Sequence, residues 1–160
     1  MTISIDDFKK SMGHFASGVT VITYNTGEEI GGITVSSFSS LSLDPMLVLF
    51  SIQNSVSSLE KLLNSKYYAI NILSSAQQEA SSSFASSKID KSNYLKEVLK
   101  ESPDEKGIYS LKESLSILKC ETYKTYEGGD HTIFVAKVLG VTNKDDRRPL
   151  LYYNRGYVTI

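Results

Sequence analysis

The sequence predicts a mainly β domain with covering helices, arranged as a small closed barrel, and three observations carry that expectation. β-Branched and aromatic runs dominate and are not separated by regular helices, so a doubly wound parallel sheet does not fit. The turn residues between them, Asn25-Thr26-Gly27 and Glu127-Gly128-Gly129-Asp130, suit antiparallel pairing. A chain of 160 residues, 41% hydrophobic and 22% charged, suits one core, so residues 1–160 are read as a single domain.

Each element follows from local pattern. Ser4-Ile5-Asp6-Asp7 opens a helix: the Ser4 hydroxyl can accept from the N–H three residues on, and Asp7 adds favourable negative charge. Ile5, Phe8, Met12 and Phe15 recur at helical spacing as one apolar stripe, with Gly18 as the expected end. Val19–Tyr24, a turn at Asn25-Thr26-Gly27, and Ile30–Val35 form a hairpin. The serine-rich stretch Ser36–Pro45 lacks a normal strand pattern and reads as a loop, and Met46–Ile52 reads as a buried strand. Ser57-Ser58-Leu59-Glu60 is a second capping box, starting a helix through Leu59, Leu62 and Leu63. Tyr67–Leu73 is a strand, and Ser75-Ala76-Gln77-Gln78 caps a third helix ending near Ala85. Residues 86–110 are polar and charged, an irregular excursion with one short helix at Tyr94–Lys100. Strands at Leu115–Tyr126, Thr132–Val141, and Leu150–Tyr153 running on to Tyr157–Ile160 complete a meander.

Composition excludes several functions. Seventeen Lys+Arg against eighteen Asp+Glu give a net charge of -1, which offers no long-range pull on nucleic acid or anionic lipid. No apolar run approaches the ~20 residues of a membrane span, so no membrane partner is expected. The polar, acidic start Met1-Thr-Ile-Ser-Ile-Asp-Asp is unlike a secretory signal, and a cytoplasmic location is expected. A single cysteine, Cys120, removes disulfide frameworks and CxxC pairs, and it reads as a small buried apolar residue. The two histidines, His14 and His131, lie far apart, so no metal site is expected. GxGxxG, GxxxxGK[ST] and GxSxG motifs are all missing. Chemistry in such a chain points to a carried cofactor.

Three places can hold it. The loop Ser36–Ser42 offers hydroxyls and backbone N–H groups to a planar polar ligand, although serines are also ordinary turn residues. Ser57-Ser58 at a helix start can hold a phosphate or simply cap the helix, and Lys88 can add a cation or be a solvated surface lysine. Gly128-Gly129-Asp130-His131-Thr132 brings His131 to the barrel mouth, where it can donate to a ligand or be a plain strand-end residue. His14, beside the first helix's apolar stripe, is read as structural.

Five ordered segments add a resemblance. Met12-Gly-His-Phe-Ala-Ser-Gly-Val-Thr-Val-Ile-Thr23, Gly32-Ile-Thr-Val-Ser-Ser-Phe-Ser-Ser-Leu-Ser-Leu-Asp-Pro45, Tyr68-Ala-Ile-Asn-Ile-Leu73, Gly129-Asp-His-Thr-Ile-Phe134 and Pro149-Leu-Leu-Tyr-Tyr153 together resemble the flavin reductase family. The likeness covers nearly the whole chain, which looks like the short-chain reductase component of two-component monooxygenases.

The resemblance implies a split β-barrel of the FMN-binding type. It implies a homodimer that binds FMN, or FAD in some members, and oxidises NADH or NADPH, passing hydride from nicotinamide C4 to flavin N5. Reduced flavin would then go to a partner flavin-dependent monooxygenase. The family's flavin loop falls on Thr34, Val35, Ser36, Ser37, Ser40, Leu41 and Ser42, and its phosphate contacts fall on Ser57 and Ser58, with Lys88 nearby. His131 matches the histidine beside the nicotinamide, the one catalytic assignment. Two departures stand out: Ser36 replaces a frequent Asn, and Asp90-Lys-Ser-Asn-Tyr94 replaces an aromatic-rich segment. Two other readings remain at this point: a flavin- or haem-binding module without reductase activity, and a barrel interaction domain whose serines only make turns.

Overall fold

The structure is a computed structural model that describes residues 2–86, 92–100 and 102–160. Helix α1 spans Ile5–Gly13, where the Ser4 hydroxyl caps the Asp7 N–H at 3.0 Å and donates to the Asp7 carboxylate at 2.6 Å. It ends five residues before the expected Gly18. His14 and Phe15 close its last turn on the carbonyls of Ser11 and Met12, and the chain then extends into a short strand β1, Ser17–Gly18. Phe15 therefore leaves the helical stripe. Ile5, Phe8 and Met12 do share a face of α1, but that face stays exposed.

The hairpin forms in the expected place, β2 Thr20–Asn25 against β3 Ile30–Val35. The Ser36–Pro45 stretch differs from its expectation: it contains strand β4, Phe38–Leu43, antiparallel to β5, Met46–Gln53. A bulge between Ser40 and Ser42 breaks its alternation, which is why the pattern reads as a loop. Helix α2, Ser58–Leu63, begins without its expected capping box, because Ser57 has helical dihedrals and its hydroxyl caps nothing. Strand β6 is Tyr67–Ile72. A capping box forms one residue earlier than read, between Ser74 and Gln77, ahead of a 3₁₀ turn and α3, Gln78–Ala85. Helix α4 spans Ser92–Val98, within the predicted excursion. The meander follows as β7 Ser116–Gly128 and β8 His131–Asn143. The expected last strand is two, β9 Leu151–Tyr153 and β10 Gly156–Val158, joined by a tight turn.

Seven strands form one antiparallel sheet in the order β3-β2-β6-β7-β8-β5-β4, and β1, β9 and β10 form a second. The ladder runs between edges β3 and β4, and no pairing among the described residues closes it into the expected complete ring. The mainly β class with covering helices holds, and the inner face still wraps one core. Ile22, Tyr24, Val35, Phe50, Ile70 and Phe134 meet there from β2, β3, β5, β6 and β8. Phe50 stacks on Phe134 at 5.0 Å and meets Tyr68 edge-on at 5.9 Å. Cys120 lies in this core, and burial pushes its thiol up to about 12, so it is inert. On the other face, Val19, Val21, Leu73 and Leu111 pack under Phe84 of α3 and Leu95 of α4. Gly32 permits that approach: a Cβ there would meet the Phe84 ring at 2.8 Å.

Candidate active site

Beside the passage from β3 to β4 lies an open cleft of about 650 Å³, within the usual range for ligand sites. Its floor is the outward face of β5 and β8, where Leu49, Ser51 and Ile133 point away from the core. One wall is the passage from β3 to β4, Ser36 to Ser39. The opposite wall is the end of α1 and the β9–β10 hairpin, which contribute Lys9, Met12, Tyr152 and Arg155. The hairpin is fixed there by the Asn154 N–H, which donates to the Gly13 carbonyl at 2.8 Å.

The serine passage is organised by Ser37. Its hydroxyl donates to the Ser51 carbonyl at 3.0 Å and accepts from the Ser51 N–H at 3.2 Å, taking the place of a ladder pairing. The backbones of Ser36 and Ser37 lie outside both ladders and pair with nothing among the described residues, so their N–H groups are available to a ligand.

The predicted site residues do not all meet here. Ser36 and Ser37 line the cleft. Thr34 and Val35 turn away: Thr34 donates to the Ser81 carbonyl at 2.6 Å and Val35 is in the core. Ser40, Leu41 and Ser42 continue along β4 beyond the cleft. Ser57 is exposed at the start of α2, and Ser58 accepts from the Tyr24 hydroxyl at 3.3 Å. Lys88 lies outside the described residues.

His131 opens β8 opposite Gln53, two pairs beyond Ser51 and Ile133. Strand alternation puts it on the same outward face as Ile133, ~7 Å further along. The Asp130 carboxylate lies 2.8 Å from its Nδ1, a contact that orients the ring and engages this nitrogen rather than Nε2. That contact with the histidine holds the Asp130 carboxyl below its usual value. Gly129, at φ 71°, makes the tight turn before it. Asn54 secures the turn: its N–H donates to the Asp130 carbonyl at 2.9 Å, its Nδ2 to the Gly129 carbonyl at 3.3 Å, and its Oδ1 accepts from the Thr132 hydroxyl at 2.8 Å.

Sequence reasoning missed Lys9, Asn54, Tyr152 and Arg155. No local spacing joins the end of α1 to a hairpin some 140 residues later. Tyr152 lies in the shared tail segment, which is the only signal that pointed to this region.

The donor set fits a large planar ligand with an anionic tail. Apolar Leu49, Ile133 and Phe38 flank serine hydroxyls and free N–H groups, with Lys9 and Arg155 at one wall and no carboxylate among the described lining residues. The flavin reductase-like domain model matches residues 12–160, and the chain belongs to that family. It is 35% identical over 150 residues to the reductase component of 4-hydroxyphenylacetate 3-monooxygenase from Thermus thermophilus, covering 94% of this chain and 93% of that one. It is 31% identical over 155 residues to an NADH-dependent FMN reductase of Streptomyces nodosus subsp. asukaensis, covering 96% and 84%. The solved NADH:FAD oxidoreductase of Streptomyces globisporus C-1027, in complex with NAD and FAD fragments, superposes with a TM-score of 0.89 at 29% identity, covering 99% and 95%.

Proposed function

We propose that the chain is an NADH-dependent flavin reductase that supplies reduced FMN or FAD to a flavin-dependent monooxygenase. The observation that supports this most is that the segments shared with the family, from Met12, Gly32, Gly129 and Pro149 onward, converge on one cleft with hydroxyl and cationic walls. Bound flavin supplies the redox chemistry, accepting hydride from the nicotinamide.

The chain's own part is to bind and orient. Ser36 and Ser37 offer N–H groups to the polar edge of the flavin, where preorganised donors favour developing negative charge. Thr34 and Val35 anchor the strand that carries this passage, and Ser40, Leu41 and Ser42 extend its far side. Ser57, Ser58 and Lys88 hold the flavin phosphate. His131 presents Nε2 to the nicotinamide carboxamide, with Asp130 and the Asn54 clamp fixing the ring. Hydride transfer needs no nucleotide-binding fold of the protein's own, since the nicotinamide need only stack briefly on the flavin. The reaction belongs in the cytoplasm, where NADH is supplied.

The working unit is a homodimer. Leu41, Leu43 and Met46 are exposed at the β4–β5 hairpin, and Leu139 and Val141 on β8, more apolar surface in one region than isolated side chains explain. Light scattering on the purified chain should give twice 17.7 kDa. A monomer at micromolar concentration would refute the dimer.

Titrating NADH and NADPH against FMN, FAD and riboflavin in steady state tests the activity. Flavin-dependent oxidation of NADH is expected, with NADPH slower. Flavin binding without oxidation of either nicotinamide would make the chain a ligand-binding module instead.

A further inference from the structure

The β9–β10 turn holds an arginine where the backbone favours glycine. Asn154 and Arg155 have φ of 48° and 64°, the two left-handed positions of a two-residue hairpin turn. A side chain of L configuration is disfavoured at both, and glycine is the ordinary second residue. Arg155 nonetheless stands there and lines the cleft.

Lys9 reaches the same wall from α1, the helix on which the turn is docked through Asn154 and Gly13. Neither cation forms an ion pair among the described residues. Lys61, Lys119 and Arg147 elsewhere are each matched to a carboxylate. Among the described residues no Asp or Glu lines the cleft, although the chain as a whole carries a net charge of -1. Two unmatched cations therefore converge on a cavity whose remaining polar groups are mainly hydroxyls. A guanidinium offers paired N–H donors to a phosphate, and an ammonium beside it adds a point charge.

We infer that Arg155 and Lys9 form a phosphate-recognition pair for a nucleotide bound in the cleft, and that they set the preference for phosphorylated over unphosphorylated ligands. This rests on the reductase reading. It adds a second anion site to the one assigned to Ser57 and Ser58, which do not line the cleft. The flavin phosphate is assigned to Ser57, Ser58 and Lys88, so the phosphate met by this pair belongs to the nicotinamide dinucleotide.

Arg155→Gly and Lys9→Gln test the pair. Glycine suits the turn and Lys9 is on an exposed helix face, so both variants should fold, the first with an unchanged or raised melting temperature. Dissociation constants for riboflavin, FMN and FAD are read from flavin fluorescence, and for NAD⁺ by calorimetry, at low and at physiological salt. Each variant should weaken NAD⁺ about tenfold and reduce its salt dependence, while riboflavin and FMN stay within about twofold. Loss for NAD⁺ with FMN unchanged supports the pair; loss confined to FMN and FAD would overturn it, because it would place the flavin phosphate here rather than at Ser57 and Ser58. Unchanged constants for every phosphate-bearing ligand, or equal weakening of riboflavin, would overturn it. Wild-type protein that reduces no flavin would overturn the reductase reading instead, a failure seen before any variant is made.

Discussion

Asn71→Ala separates holding the fold from serving the reaction. Asn71 belongs to one of the segments shared with the family, yet its side chain is wholly buried and away from the cleft. Its Nδ2 donates to the Val21 carbonyl at 2.9 Å and to the Thr23 hydroxyl at 3.0 Å, and its Oδ1 accepts from the Leu111 N–H at 2.9 Å. It therefore ties β2 to the segment crossing the sheet's outer face, and Thr23 continues the tie by donating to the Tyr109 carbonyl at 2.6 Å. Alanine leaves the Leu111 N–H buried without a partner, at a cost of about 1–3 kcal/mol, and removes two further bonds worth about 1 kcal/mol each. A loss of about 4 kcal/mol is a large share of the 5–15 kcal/mol typical of a domain. At about 2–4 °C per kcal/mol for this chain length, the melting temperature should fall by about 10 °C. Circular dichroism with tyrosine fluorescence reads the transition, since the chain has ten Tyr and no Trp. Below the transition, flavin reduction should match wild type. A fall of less than about 3 °C, or lost reduction with the fold intact, would refute the assignment of Asn71 to the fold.

His131→Ala should slow reduction by NADH about 10–100-fold in stopped flow, as expected for loss of orientation, and leave flavin affinity unchanged; an unaltered rate would dismiss its role. Asn54→Ala keeps the histidine but removes two bonds that hold its turn, so the same rate should fall by less, with about 1 kcal/mol of stability lost by urea titration. Replacing Ser57 and Ser58 together by Ala should weaken FMN more than riboflavin, and equal weakening would reduce them to plain helix-start residues. Partial burial works to raise the Asp104 carboxyl, but Lys119 at 2.8 Å and the N–H groups of Ile108 and Lys106 outweigh it and hold it below its usual value. A depressed carboxylate stabilises the fold above its unfolded value of about 3.9, and that contribution is lost as pH falls through the lower folded value. Asp104→Asn should thus cost about 1 kcal/mol near neutrality and nothing in strong acid; a gap that does not change with pH would refute it.

What the sequence made legible was whatever local rules govern. The β2–β3 hairpin, the Ser4 cap and the Gly129 turn follow from side-chain period and turn chemistry within a few residues, and they stand where expected. Strand β4 was hidden because its bulge interrupts the alternation, and only pairing with β5 makes those serines extended. Phe15 fits the stripe and so extends the expected helix, whereas the pairing of Ser17 with Tyr152 and of Gly18 with Leu151 draws the chain out of it. That long-range pairing is also what builds the cleft's second wall. It docks the hairpin on the end of α1 and so brings Lys9 to Arg155, two residues that no spacing rule relates. The half of the site visible in the sequence is the half made by adjacent strands, Ser36 and Ser37 beside Ser51. The other half exists only because the tail returns to the first helix. A chain with intact serines but a displaced tail would keep its hydroxyl wall and lose its cationic one, so trimming the tail at Pro149 should reduce affinity for NAD⁺ more than for riboflavin.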